Sequence, residues 1–280
     1  MRRGRPLALL AALLLLATTA VAQQRDSTSL ELKFLDVGQA DAILIQLGRK
    51  AVLVDASRGD DIVQYLEEEG VDSLVAAIAS HNHDDHLGGM DAVLDSWPVG
   101  MYLTNGRVPG TENGSRALAL ARERGVPTPQ PPWPVIQLGD ARISVFPSSL
   151  PATEPDENNY SLGVLVERGR FKALMTGDSQ ENELAGWLRT RKIPDVDLLK
   201  AAHHGADNGV IPGWLHATQP EIVVISVGKD NPYGHPGPWA LRFYATHNRR
   251  ILRTDQDGTV VVTVDPSGAY RIATRGPIPR

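Results

Sequence analysis

A short, continuously apolar run, LVAAIAS (74–80), leads directly into the loop SHNHDDHLGG (80–89). An apolar run of this length, bounded by polar residues, is typical of a buried strand. The loop holds three of the eight histidines of the chain together with two aspartates. Polar side chains crowded at the end of a buried strand repel one another when charged and cost free energy when desolvated without partners. Any fold of this chain must therefore supply partners that offset the charge repulsion and the desolvation cost of the polar groups in this loop.

A bound divalent cation would compensate this loop, because neutral imidazoles supply lone pairs and a carboxylate supplies negative charge. The pattern H-x-H-x-D-H predicts His81, His83, Asp85 and His86 as metal ligands. The pair Gly88-Gly89 behind them permits a close approach of the backbone. A solvated polar loop without a metal is the alternative interpretation.

Strand and helix patterns follow one another along the rest of the chain. Alternating or continuously apolar runs predict strands at 30–37, 41–47, 51–57, 74–80, 100–104, 141–147, 196–202, 221–227 and 259–264, and a hairpin over 161–178 that turns at Arg168-Gly169. Helical periodicity and stop signals predict helices at 60–69, 90–97, 115–125, 179–192 and 238–247, with Ser179 as a possible N-cap. This order predicts an α+β fold in which two sheets pack face to face with helices outside, an αββα four-layer sandwich.

The first 22 residues have the layout of a secretory signal peptide. Three arginines precede an uninterrupted apolar run, Leu7 to Ala17, and Ala20-Val21-Ala22 ends the segment. The apolar run is short for a membrane span, which needs roughly 20 residues. We therefore expect cleavage after Ala22, a single domain over 23–280 without a transmembrane region, and a periplasmic or extracellular location.

The chain is acidic and has no cysteine, with a formal net charge of −5 over 280 residues. Removal of the arginine-containing leader makes the chain more acidic still. An acidic surface disfavours a stable nucleic-acid complex held by a broad basic face, so a phosphate substrate would be bound locally. The absence of cysteine excludes disulfides, a cysteine nucleophile and a lipid-modified cysteine anchor.

The H-x-H-x-D-H loop at a strand end resembles the signature of the metallo-β-lactamase superfamily. Two more motifs occur in the order that the family has them. The resemblance implies that Asp55, which ends the run AVLVDAS, supports the histidine loop from behind the metal ligands. It also implies that Asp178, in LMTGD, bridges two cations, for which a shared carboxylate is suited. Helix capping is the alternative role of Asp178.

Two further histidine motifs match the family pattern. The segment LLKAAHHGADN supplies His203 and His204, of which one is expected to ligate the second metal and the other to lie near the substrate; we favour His204 as the ligand. His235, in NPYGHPGP, is expected either to ligate a metal or to donate a proton to the leaving group. A turn histidine without a chemical role is the alternative for His235.

Four ordered segments make the resemblance more specific. FLDVGQADAILIQL, ENNYSLGVLVERGRFKALMTGD, LLKAAHHGADN and VVISVGKDNPYGHP are together similar to the soluble hydrolase domain of ComEC-type competence proteins, from about Leu32 to Val264. In that group the domain is proposed to be a nuclease acting on incoming DNA. Secreted phosphorylcholine esterases are similar too. Gln39 and Asp41 match the first motif, and we expect them to shape a turn near the site.

The chain departs from classical β-lactamases and glyoxalase II, which place a third first-site histidine before the bridging aspartate. No histidine lies between His86 and His203, and this region offers Asn158 and Asn159 instead. Either asparagine could complete the first site through oxygen or water, or could simply form a turn. A site with fewer nitrogen ligands is more open and harder, which makes manganese plausible beside zinc. The resemblance implies two divalent cations, and zinc is the favoured metal.

These features predict a dinuclear metal-dependent hydrolase that attacks its substrate with activated water. The expected catalytic residues are Asp85, which is also a predicted ligand, together with His203 and His235; Lys200 could help to hold an anion. A phosphodiester, in DNA or in a smaller molecule, is the favoured substrate. A lactone, thioester or β-lactam hydrolase is the rival enzyme, and a secreted metal-binding module without turnover is the third alternative.

Overall fold

A computed structural model describes residues 28–247 and 249–277 of the chain. Within these residues the strands form two sheets of seven, in the orders β14-β13-β1-β2-β3-β4-β5 and β12-β11-β10-β9-β8-β7-β6. The strands are β1 Leu30–Phe34, β2 Ala42–Leu47, β3 Lys50–Ala56, β4 Ser73–Ile78, β5 Tyr102–Leu103, β6 Ile136–Leu138, β7 Ala141–Phe146, β8 Gly163–Arg168, β9 Phe171–Met175, β10 Leu198–Lys200, β11 Ile222–Ile225, β12 Arg250–Arg253, β13 Val260–Val264 and β14 Tyr270–Thr274.

The α-helices of the described chain join or flank these strands. They are α1 Asp61–Glu68, α2 Asp84–Leu87, α3 Met90–Ser96, α4 Glu112–Glu123, α5 Glu181–Thr190, α6 Pro212–Thr218, α7 Pro238–Thr246 and α8 Thr254–Asp257. Short 3₁₀ helices cover Asn158–Tyr160, Ala202–Gly205 and Asp207–Gly209.

The core lies in layers, as the periodicity of the strands requires. Alternate side chains of β1, such as Leu32 and Phe34, pack between the two sheets against residues of the second sheet such as Val164 and Val166. A second apolar layer joins the outer face of the first sheet to α1, α3 and α4. Two smaller apolar clusters join the second sheet to α5, α6 and α7. The chain therefore has the predicted αββα arrangement.

The main strands and helices that the sequence predicts are confirmed within a few residues. Besides the short 3₁₀ helices, six elements escaped prediction: the strands β6, β12 and β14 and the helices α2, α6 and α8. The predicted Ser179 cap is wrong, because α5 begins after Gln180 and the Ser179 hydroxyl instead lies 2.6 Å from the Thr176 carbonyl and 2.7 Å from the Glu183 carboxyl group. The predicted signal peptide, residues 1–22, lies outside the described residues. No helix among the described residues is both long and apolar enough to cross a bilayer.

The carboxyl ends of several strands from both sheets meet at one edge of the sandwich. β3 and β4 of the first sheet pair in parallel, and so do β9, β10 and β11 of the second. Parallel neighbours direct their carboxyl ends to the same edge, where the loops that follow can converge. The predicted site residues lie after the carboxyl ends of these strands, in their last two residues (Asp55 and Lys200), or in the segment at Asn158 that precedes β8.

A buried charge cluster fastens α1 to the first sheet. Lys33 alternates with core residues of β1 and so points to the helix layer, where its ammonium lies 2.7 Å from Glu69 and 2.9 Å from Glu31. The Glu69 carboxylate also pairs with Arg275. Burial opposes the charge on Glu69, but the hydrogen bonds from Arg275 and Lys33 prevail and lower its pKa from 4.5 to about 2.

Glu69→Gln is expected to destabilise the fold by about 3 kcal/mol at pH 7, because it removes the buried charge partner of Lys33 and leaves only the partly exposed Glu31 beside it. The lowered pKa of Glu69 means that this stabilisation is present above pH 4.5 and is lost as the pH falls through about 2. Urea unfolding at pH 7 and at pH 3 measures both effects. The exposed neighbour variant Glu67→Gln should change stability by less than about 0.5 kcal/mol; equal losses in the two variants would contradict this assignment.

Candidate metal centre

The Asp178 carboxylate lies between two buried imidazoles that come from different sheets. Its Oδ2 atom is 3.2 Å from His86 Nε2 and 3.5 Å from His204 Nε2. Asp178 follows β9 through a turn at Gly177, whose φ of +52° favours glycine. A Cβ atom at Gly177 would lie 2.8 Å from Ser80 Oγ, so only glycine lets this turn approach the histidine loop.

The loop after β4 places its histidines around the same point. His81 and His86 are fully buried, with ring centroids 4.2 Å apart. His83 is exposed, and its Nδ1 lies 3.0 Å from His81 Nε2. Asp85 Oδ2 is 3.6 Å from His204 Nε2 on the other sheet. All four residues of the predicted H-x-H-x-D-H ligand set therefore border one centre.

Asp55 lies behind the histidine loop and fixes the orientation of His86. Its Oδ2 accepts a hydrogen bond from His86 Nδ1 at 2.8 Å, and its Oδ1 accepts one from the Ser80 amide at 2.7 Å. With Nδ1 donating, the Nε2 lone pair of His86 is directed at the centre. Asp55 holds this position with a left-handed φ of 59°, a conformation that costs a non-glycine residue of order 1–3 kcal/mol.

Asp41 and Lys200 form a buried ion pair behind the imidazoles. The side chains of both are fully buried. Asp41 Oδ1 lies 3.5 Å from His204 Nδ1, and Asp41 Oδ2 lies 3.7 Å from His86 Nδ1. Lys200 also donates to the Gly177 carbonyl at 3.3 Å. Lys200 thus lies beneath the centre and does not line the cavity above it, and Asp41 contributes charge as well as the expected turn.

His203 and His204 occupy different environments although they are adjacent in sequence. Both have left-handed backbone, with φ values of 51° and 52°. His204 is buried, and its Nδ1 donates to the Ser226 carbonyl at 3.0 Å, which leaves Nε2 facing the centre. His203 is half-buried; its Nδ1 lies 2.9 Å from Asn208 Oδ1 and its Nε2 is 3.9 Å from Asp178. The geometry favours His204 as the ligand and His203 as the residue near the substrate.

The other predicted residues divide between the cavity and its support. His235 is half-buried, with its ring centroid 5.4 Å from that of His203. Asn158 faces the cavity, and its Oδ1 has no hydrogen-bond partner among the described residues. Asn159 is buried, and its Oδ1 accepts from the Gln180 amide at 3.2 Å. Of the two asparagines, Asn158 is therefore the one available to a metal or a substrate.

The electrostatics of the centre favour positive charge. Burial opposes protonation of His86 and His204, but Asp178 and a second buried aspartate outweigh it and raise both pKa values. Burial would also raise the pKa of Asp178, yet His204 and His86 hold this pKa well below its usual value. His81 differs, because burial and the neighbouring His86 lower its pKa well below the usual value.

The donor set fits divalent cations. His86 Nε2, His204 Nε2 and Asp178 Oδ1 are buried and have no hydrogen-bond partner among the described residues, a state that costs free energy unless another group satisfies them. One ligand atom each from His81, His86 and Asp178 lie within 4.8 Å of one another, and the same holds for Asp85, His86 and His204. Imidazole nitrogens and carboxylate oxygens gathered in this way are the donors that divalent cations such as zinc take.

A cavity of about 390 Å³ opens above the centre. Besides predicted residues, its wall includes Gln39, Arg58, Thr111 and Tyr233. Arg58 Nη2 lies 3.3 Å from Asp85 Oδ2. Sequence reasoning missed Arg58, Tyr233, and the supporting Ser80 and Ser226. A weak signal existed only for Ser80, which begins the histidine loop.

Comparison with known proteins identifies the family of the chain. The profile of the metallo-beta-lactamase superfamily matches residues 35–229. ComE operon protein 3 of Bacillus subtilis (strain 168) is 28% identical over 254 residues, which cover 82% of this chain and 32% of that protein. Competence protein ComA of Neisseria gonorrhoeae is 28% identical over 232 residues, covering 80% of this chain and 31% of that protein. The chain thus spans about a third of the length of these relatives.

Solved structures support the fold. The metallo-beta-lactamase fold protein YhfI from Bacillus subtilis superposes with a TM-score of 0.52, at 12% identity, over 88% of this chain and 100% of that chain. At this level of identity the likeness concerns the fold alone.

His204→Ala is expected to remove about one metal ion per chain, because a ligand nitrogen is lost, whereas His203→Ala should retain the full metal content. The two substitutions are matched, since both residues have the same left-handed backbone and the backbone cost of alanine is shared. Metal analysis by mass spectrometry after dialysis of the zinc-loaded proteins measures the difference. Metal loss in the His203 variant alone would reverse the assignment.

Proposed function

Because the chain belongs to the metallo-beta-lactamase superfamily, whose members are usually metal-dependent hydrolases, we propose that it hydrolyses phosphodiesters with the aid of two divalent cations. The observation that carries this proposal is the convergence of unpartnered, buried His86 Nε2, His204 Nε2 and Asp178 Oδ1 at the floor of an open cavity. Zinc is the favoured cation because imidazole nitrogens dominate the donor set, and manganese is the alternative.

Each residue of the proposed enzyme has a defined task. His81, His83, Asp85, His86, Asp178 and His204 would hold the cations, while Asp55 and Ser226 keep the imidazoles of His86 and His204 oriented. When bound, divalent cations lower the pKa of water from about 15.7 toward about 7 and stabilise negative charge that develops on the substrate.

His203 and His235 line the cavity beside the ligands and are available to the leaving group. Burial and the neighbouring His203 lower the pKa of His235, so its ring is neutral at pH 7. A neutral imidazole can donate one hydrogen bond to a leaving oxygen and does not add charge that would compete with the cations.

Two features support a phosphodiester over a neutral ester. Arg58 is a permanent cation on the cavity wall, and its half-exposed guanidinium can reach an anionic group beside the centre. The resemblance to the hydrolase domain of ComEC-type competence proteins, which is proposed to be a nuclease acting on incoming DNA, also favours a phosphodiester, although the chain covers about a third of the length of ComE operon protein 3 and of competence protein ComA. We also propose that the enzyme is the exported chain 23–280, in the periplasm or outside the cell.

Asp178→Asn is expected to lower kcat/KM for bis(p-nitrophenyl) phosphate on the order of 10²–10³-fold or more, because the shared carboxylate charge is lost while the side-chain shape is kept. Release of nitrophenol by the zinc- and manganese-loaded proteins measures the effect. The matched control is Asp95→Asn, an exposed aspartate paired with Arg124, which should leave the rate unchanged.

A substrate panel separates this proposal from its rivals. Turnover of nitrocefin or of a lactone without diester cleavage would favour the acyl hydrolase. Bound metal without turnover of any substrate would favour a binding module.

Removal of the metal by a chelator is expected to abolish diester hydrolysis. The activity should return when zinc or manganese is added. Because ligand imidazoles must be deprotonated to bind a cation and the pKa values of His86 and His204 are raised, metal affinity should fall as the pH is lowered. Titration of the apoprotein with zinc at pH 8 and pH 6 measures this dependence. Equal affinity at the two pH values would contradict ligation by these imidazoles.

A further inference from the structure

The wall of the cavity carries one large aromatic side chain that the proposed chemistry does not use. Tyr233 is 59% exposed and belongs to a small set of exposed large hydrophobic residues, with Val108, Val135 and Trp239, among the described residues. Of these four, Tyr233 alone lines the cavity above the metal centre. The exposed ring places apolar area in contact with water in an otherwise polar cavity. The proposed hydrolysis does not require this exposed apolar area.

The ring of Tyr233 is stacked on His235. The two centroids are 5.9 Å apart and the ring planes differ by 19°. The ring of His235 in turn lies 5.4 Å from that of His203, edge to face. One face of Tyr233 is therefore turned to the residues beside the centre, and its exposed area is available to a flat group entering the cavity.

The segment that carries Tyr233 is held in place by Asn231. Asn231 Oδ1 accepts hydrogen bonds from the Tyr233 amide at 3.2 Å and the His235 amide at 3.0 Å. Asn231 Nδ2 donates to the carbonyls of Gly228 and His235, at 3.0 and 2.6 Å. A ring presented by a braced loop loses little conformational entropy when a ligand stacks on it.

From this placement we infer that Tyr233 is a stacking platform that binds the nucleobase of a nucleotide phosphodiester whose phosphate lies at the metal centre. The inference rests on the proposed function for the position of the phosphate. A cavity of about 390 Å³ falls within the roughly 300–1,000 Å³ typical of small-molecule sites, and so suits one nucleotide unit. Stacking on an aromatic face is tolerant of base identity. We therefore expect the site to prefer ligands that carry a base but not to distinguish one base from another.

Equilibrium binding to the zinc-loaded protein tests the platform without requiring turnover. Calorimetric titration compares thymidine 5′-monophosphate with deoxyribose 5-phosphate, which differ by the base. The wild-type protein should bind the nucleotide about 10-fold more tightly or better, as base stacking on an aromatic residue implies. Tyr233→Ala should abolish this difference in affinity, which we call the gap. Tyr233→Phe should keep the gap, because the ring is retained.

Trp239→Ala is the matched control. Trp239 is also an exposed aromatic residue, but it stacks on Phe243 along α7 and does not line the cavity. The gap should persist in this variant. No gap in the wild-type protein, or a gap that survives in Tyr233→Ala, would overturn the platform even if diesters are hydrolysed. A gap that depends on Tyr233 in a protein without diesterase activity would uphold the platform and overturn the proposed hydrolysis.

Discussion

The interaction on which the site depends is the mutual compensation of buried carboxylates and imidazoles where the two sheets meet. Asp178 lies between His86 and His204, and Asp41, itself paired with Lys200, lies behind both rings. Any one of these groups would be expensive to bury alone. Together they produce a field that raises the pKa values of both imidazoles, and a field that attracts protons to ring nitrogens also attracts divalent cations. The same charges therefore join the halves of the fold and prepare the centre for metal.

Backbone strain is concentrated at this point as well. Asp55, Ser57, His203 and His204 all have positive φ values, which are unfavourable for residues with side chains. At the histidine pair the strained turn sends neighbouring side chains in different directions, one to the Ser226 carbonyl and the centre, the other to Asn208 and the cavity. The well-packed layers on both sides of each sheet supply the stability that holds these conformations.

The fold was predictable because most of its strands have a clear hydrophobic pattern, either alternating or continuously apolar. Runs such as that of β4 have apolar residues throughout, and the helices α1 and α4 have clear stripes. The elements that escaped prediction are either short, as β6, β12, α2, α6 and α8 are, or mostly exposed, as β14 is, so the hydrophobic pattern carries little signal there. The residues with metal-ligand chemistry were visible because histidine clusters are rare. Tyr233 and Arg58 were not predicted, because their position depends on loops that converge only in three dimensions. Lys200 was expected to help to hold an anion, but it is buried against Asp41.

One feature of the sheet topology bears on how the chain is made. β1 pairs with β2 on one side and with β13 on the other, so that Leu30 lies opposite Val264. The first sheet therefore cannot close until the chain has been synthesised past Val264, and contacts of such long range are slow to form. Until then β1 presents an unpaired, apolar edge to its surroundings. A nascent chain with this topology therefore carries an edge to which other chains can pair until β13 is in place.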